Sequence, residues 1–338
     1  MPAVGDSQFQ GSGFGEGEGE AQTKTWKSRL KRLEKVFNER TGSPKARQWL
    51  LVFALVLFVV ISVGSFLGLP DGVHFRWWAL PLLALVTTPL TVAANSTEFR
   101  VMGAINGHSI RWLAAARLTV IAGAANLLPL PGGIVIRTQA LRKAGSSYRH
   151  ALAANAAAGL AWIAMGCLVI AALFVAAPRT RLAAVLLAAA GVGALVAVRA
   201  ILRRIDHSTA TRFLVQLILI EAATVVVSGA RIFLAFRLIG LTASAAQSVA
   251  LTASQIIAAA VGVFPAGLGL RELLAGGIGS AVDLPLSASV AATASDRIAG
   301  QLGLAVLAGL LLLSFRRGGI PPEDEEAAEL PVPTAHLP

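Results

Sequence analysis

Two related helix-breaking segments interrupt apolar runs of bilayer length, and they constrain this chain more than any other feature. The first is Ala124–Arg137, AANLLPLPGGIVIR, and the second is Ala258–Arg271, AAAVGVFPAGLGLR, followed by Glu272. Aligned without a gap, Pro131 meets Pro265, Gly133 meets Gly267 and Arg137 meets Arg271. Proline removes a backbone donor and glycine opens dihedrals that a helix does not use. Backbone freed in this way at membrane depth needs protein or a water-filled cavity around it. A break of this kind in each of two halves of a chain points to a transport-type site.

The surrounding composition is that of a membrane protein. The chain is 55% hydrophobic and 14% charged, against about 25% charged for a soluble domain. No period-two alternation suggests a β-barrel. The expected fold class is therefore all-α, a polytopic membrane protein with inverted repeats. The net charge of +11 is concentrated in Lys24–Arg47 and in short loops between apolar runs. That is the positive-inside pattern, with attraction to anionic headgroups, and it argues against nucleic acid as a partner. Cys167 is the only cysteine, so no disulfide forms within the chain. The five histidines have no ligand spacing, so neither a metal nor a cofactor is expected.

Along the chain, 1–23 reads as a disordered tail rich in Gly and Glu, with no signal peptide. In 24–47, Trp26, Leu30, Leu33 and Phe37 form one stripe of a basic amphipathic juxtamembrane helix. The transmembrane domain covers 48–317, and 318–338 reads as an acidic, Pro-rich disordered tail. Spans are expected at 48–69, 77–94, 149–177, 182–198, 213–239 and 285–314, with a polar connection at 95–111. Counting 112–148 as a full span would put Arg137, Arg142, Lys143 and Arg149 on the outer face, which the positive-inside rule disfavours. Re-entrant hairpins at 112–148 and 243–282 remove that conflict and enter from opposite faces. The result is repeat one at 77–177 and repeat two at 213–314, inverted relative to each other. About six full spans and two hairpins follow, with both termini cytoplasmic and eight full spans as the alternative.

Charges at bilayer depth persist when they are paired, solvated or functional. Here they are Arg117, Arg137, Glu221, Arg231, Arg271, Glu272, Asp296 and Arg297. Asp296 and Arg297 are adjacent and point about 100° apart on a helix, so each needs a partner elsewhere. The expected pairs are Arg271 with Asp296 and Glu272 with Arg297. Arg137 has Thr138 where Arg271 has Glu272, which makes the first hairpin the more electropositive. Arg231 and Arg237 are expected to snorkel toward one end of their run and Glu221 toward its start. No Ser-His-Asp, Cys-His or paired-carboxylate constellation suggests an enzyme. The substrate-binding candidates are Arg271, Glu272, Asp296, Arg297 and Arg137, with Pro265, Gly267, Gly269 and Gly133 shaping the backbone.

Over 48–315 these motifs resemble the transmembrane, flippase-like domain of the lysylphosphatidylglycerol synthase family. The second motif, Pro265-Ala-Gly-Leu-Gly-Leu-Arg-Glu272 with Asp296 and Arg297 downstream, carries most of the resemblance. The first matches in Asn126, Pro129, Gly133 and Arg137, and departs at Ile134 and at Ala158-Gly159. The resemblance implies lipid translocation or binding in the cell membrane without an aminoacyltransferase domain. The implied ligand is an anionic, phosphate-containing lipid or a polyprenyl-phosphate glycolipid of the cell envelope. The alternative is a non-catalytic accessory subunit of a glycolipid- or lipid-modifying enzyme, an envelope-biosynthesis partner.

Overall fold

The computed structural model describes residues 44–71, 73–126, 132–175, 180–261 and 267–318. The expected tails, the 24–43 part of the amphipathic helix, Pro131 and Pro265 lie outside these residues. The chain divides at Leu50/Leu51, and the contacts below concern Leu51 onward.

All regular structure among the described residues is helical. Six helices are long: α1 (Pro44–Leu67), α2 (Ala79–Ile105), α5 (Tyr148–Phe174), α6 (Arg181–Ile205), α7 (Ala210–Leu238) and α10 (Leu286–Gly318). Of these, α2, α5, α6 and α7 are long and apolar enough to cross a membrane. Four helices are short and fall in two consecutive pairs, α3 (Trp112–Ala125) with α4 (Gly132–Lys143) and α8 (Ala245–Val261) with α9 (Leu270–Ala281). Their 14, 12, 17 and 12 residues rise about 18–25 Å, less than a hydrocarbon core of roughly 30 Å. The two members of each pair pack against each other. Length and packing together make each pair a hairpin.

Small residues let these helices approach. The buried face of α5 carries Ala151, Ala154, Ala157, Ala158, Ala161 and Ala164, the small-residue seam that membrane helices use in place of hydrophobic driving force. The opposite face of α6 leaves Leu182, Val185, Leu186, Val192 and Val196 exposed, an apolar surface suited to lipid tails.

The two halves repeat one another. The sequence α2, α3, α4, α5 corresponds to α7, α8, α9, α10, and neighbour relations survive the exchange. Packing of α3 on α10 is matched by α8 on α5, and α5 on α7 is matched by α10 on α2. The helices α2 and α7 pack directly on each other. Thr88 of α2 accepts from Arg231 of α7 at 3.3 Å, while Glu98 lies within electrostatic reach of Glu221. Rising numbers on α2 thus meet falling numbers on α7, and the two run antiparallel. Equivalent helices in opposite directions are the signature of an inverted repeat.

One boundary differs from the sequence expectation. The polar stretch beginning at residue 95 does not leave the helix, because α2 continues to Ile105. Ser96 and Thr97 return their hydroxyls to the carbonyls of Val92 and Ala93, and Glu98 is charge-compensated, so the polar residues do not stop the helix. Within α2, Leu82–Thr87 is π-helical just before Pro89. Pro89 supplies no N–H to the preceding turn, and the wider turn is a common accommodation.

Candidate functional site: two buried charge centres

The second hairpin builds the larger centre. Helix α9 begins at Leu270 after Gly267 and Gly269, whose φ values of 66° and 77° are left-handed and favour glycine. A Cβ on Gly269 would stand 2.9 Å from the Leu57 side chain. The Gly269 N–H donates to Glu272 Oε2 at 2.9 Å, so this carboxylate satisfies a donor at the helix start. Its other oxygen accepts from Arg297 Nε at 2.8 Å. Arg297 Nη2 also donates to the Gly267 carbonyl at 3.2 Å. Its guanidinium lies 5.7 Å from the Phe58 ring centroid, within cation–π range. Unwound backbone at this break is therefore held by an arginine from α10 and covered by α1.

Asp296, one residue earlier on α10, serves two arginines. Arg271 Nη2 donates to Oδ2 at 2.6 Å and Arg231 Nε to Oδ1 at 2.8 Å. Arg231 Nη2 also reaches the Asp296 carbonyl at 3.1 Å. Gly300, one turn on, makes room for Arg231, since a Cβ there would collide with Nη2. All five charged residues are buried. Arg271 Nε is buried with no hydrogen-bond partner. Both pairs expected from sequence, Arg271 with Asp296 and Glu272 with Arg297, are formed. Arg231 is a correction: instead of snorkelling, it is buried and shares Asp296, because the carboxylate offers a second oxygen at bilayer depth.

The first hairpin builds a smaller centre of opposite sign. Gly133 opens α4, and its N–H donates across the break to Asn126 Oδ1 at 2.8 Å. A Cβ there would meet the same Asn126 oxygen at 2.5 Å. Arg137 Nη1 pairs with Glu98 Oε2 at 3.2 Å. Thr138, at the position of Glu272, accepts from Asn155 at 3.2 Å instead. Glu221 is also a correction, being buried within reach of the charges of both Glu98 and Arg137. The first hairpin is consequently not the more electropositive, because Glu98 and Glu221 arrive from α2 and α7. Sequence reading missed Glu98 as a partner, since it treated 95–111 as a connection. The available signal was that Glu98 lies ten residues beyond Thr88 and Glu221 ten residues before Arg231 (98 − 88 and 231 − 221).

Among the described residues, no group of three His, Cys, Asp or Glu is placed to hold a metal ion. No protein-family model, no curated protein and no solved structure matches this chain.

Proposed function

We propose that this chain binds, and moves across the membrane, an anionic phosphate-bearing lipid, as the flippase-like resemblance implies, with the second centre as the headgroup site. Phospholipid and polyprenyl-phosphate headgroups share the phosphate that such a site would take. The termini would lie on the cytoplasmic side, by the positive-inside distribution of Lys24–Arg47 and Arg199–Arg212.

The observation that carries this proposal is Arg271. It sits in the first turn of α9, where backbone N–H groups favour an anion. It is 8% exposed, and one carboxylate shared with Arg231 is its described partner. Its Nε is buried without an acceptor, at a cost of about 1–3 kcal/mol for an unmet donor. The whole centre has three guanidiniums and two carboxylates (3 − 2 = +1). A phosphate oxygen would satisfy both the free donor and the excess charge.

The test is reconstitution into vesicles carrying labelled phosphatidylglycerol or labelled phosphatidylcholine. Wild-type protein should accelerate transbilayer exchange of the anionic lipid more than that of the zwitterionic one, and Arg271→Gln should remove the difference. No acceleration, together with no anionic lipid retained by gently purified protein, rejects a lipid site. Retained lipid without exchange, together with a co-purifying lipid-modifying enzyme, favours the accessory-subunit role.

A further inference from the structure

We propose that Glu98, Arg137 and Glu221 form a proton-binding site at the crossing of α2 and α7, with Glu221 holding the exchangeable proton. Charge and geometry both require an occupant. Arg137 pairs with Glu98 at 3.2 Å, which leaves Glu221 as a second carboxylate with no cation of its own (1 − 2 = −1). Glu221 is 3% exposed, and its Oε1 has no hydrogen-bond partner. A buried charge without a partner takes up a neutralising ion or proton. Two carboxylates near one another also favour retention of one proton.

The surroundings of Glu221 leave the proton as the simplest occupant. From α2 and α4, Glu98 and Arg137 are the groups whose charge reaches it. The neighbouring layer of α5 is alanine, Ala154, Ala157, Ala158 and Ala161, apart from Asn155, whose amide donates to Thr138, and α8 carries no ionisable residue. On α6, Arg199 is exposed. On α10, Asp296 and Arg297 are engaged with Arg231, Arg271 and Glu272. An alkali cation would need a shell of several oxygens, whereas a proton taken from water needs one carboxylate oxygen.

Protonation stands independently of lipid transport; only its use as a coupling ion rests on the proposed function. The experiment is infrared difference spectroscopy of purified full-length protein titrated from neutral to alkaline pH, where the exposed carboxylates among its 18 Asp and Glu residues are already ionised, read at the protonated-carboxyl C=O stretch. Wild type should show a titrating band of about one carboxyl per chain, which Glu221→Gln abolishes and Glu221→Asp retains at a shifted frequency. Glu221→Gln mimics the protonated form and should remain folded, with an unchanged size-exclusion profile. Lipid exchange need not occur for this result to hold. Absence of a protonated-carboxyl band while the protein is folded overturns the proposal, as does a band that persists in Glu221→Gln. Loss of the band on adding sodium at constant pH also overturns it, identifying an alkali cation as the occupant.

Discussion

Substitution of Asp296 by asparagine tests the second centre most sharply. The carboxylate accepts from Arg271 at 2.6 Å and from Arg231 at 2.8 Å, and both guanidiniums are buried. The change raises the centre from +1 to +2. Removing one partner of a buried ion pair costs about 3–5 kcal/mol. One carboxylate here compensates two cations, so the upper part of that range applies. At about 2–4 °C per kcal/mol for a domain of this size, the melting temperature should fall by about 10–20 °C. Arg231→Met makes the informative contrast. It lowers the centre to neutrality and leaves Asp296 with Arg271, so its cost should stay near the lost charged hydrogen bonds, about 1.5–3 kcal/mol. Thermal unfolding of purified protein, followed by the fraction remaining monodisperse on size-exclusion, ranks the two. If Asp296→Asn melts with wild type, or above Arg231→Met, the charge accounting is refuted.

Gly269→Ala combines a left-handed φ of 77° with a Cβ 2.9 Å from Leu57, and should lose at least about 1–2 kcal/mol from the backbone alone. Gly277→Ala, in the same helix with nothing within 4 Å of the new Cβ, should be neutral or stabilising; equal melting of the two variants would remove the strain assignment. In the α6–α7 loop, hydrogen bonds from the Thr209 and Ser208 side chains hold the Asp206 carboxyl below its usual range. A depressed folded-state pKa contributes stability above the unfolded value, about 3.9, and loses it as pH falls through the folded value. The melting difference between wild type and Asp206→Asn should therefore be present at neutral pH and vanish in acid. A difference constant with pH would refute that role.

Helix class, the two hairpins and the α9–α10 charge pairs were legible because each depends on local pattern. Apolar length separates 27-residue α5 from 12-residue α9. The 100° offset of adjacent Asp296 and Arg297 forces separate partners. What escaped depends on helix-to-helix packing. Arg231 looked like a snorkelling cation because it lies seven residues from the end of its helix (238 − 231), yet its neighbour Gly300 admits it to the core. Glu98 looked like a loop residue because Glu98 and Arg100 fall close together. Its burial depends on Arg137, 39 residues away, and periodicity carries no information about a partner at that separation.

The two centres share their scaffold, and that makes them electrically dependent. Helix α2 contributes Thr88 to one and Glu98 to the other, and α7 contributes Arg231 and Glu221 in antiparallel order. Ten residues of helix separate the centres on each strand of this pair, about 15 Å. Unit charges at that distance, in an effective dielectric of about 20, interact by about 1 kcal/mol. With Glu221 ionised, the centres are −1 and +1, and an anion arriving at Arg271 is opposed by the first centre. With Glu221 protonated, that opposition is gone. On both proposals together, Glu221→Gln should bind an anionic headgroup about fivefold more tightly than wild type at alkaline pH, and equally at acid pH where wild type is protonated. Titration of labelled phosphatidylglycerol into the purified proteins measures this directly. Equal affinities at every pH would show that the two centres, though built on one helix pair, do not sense each other.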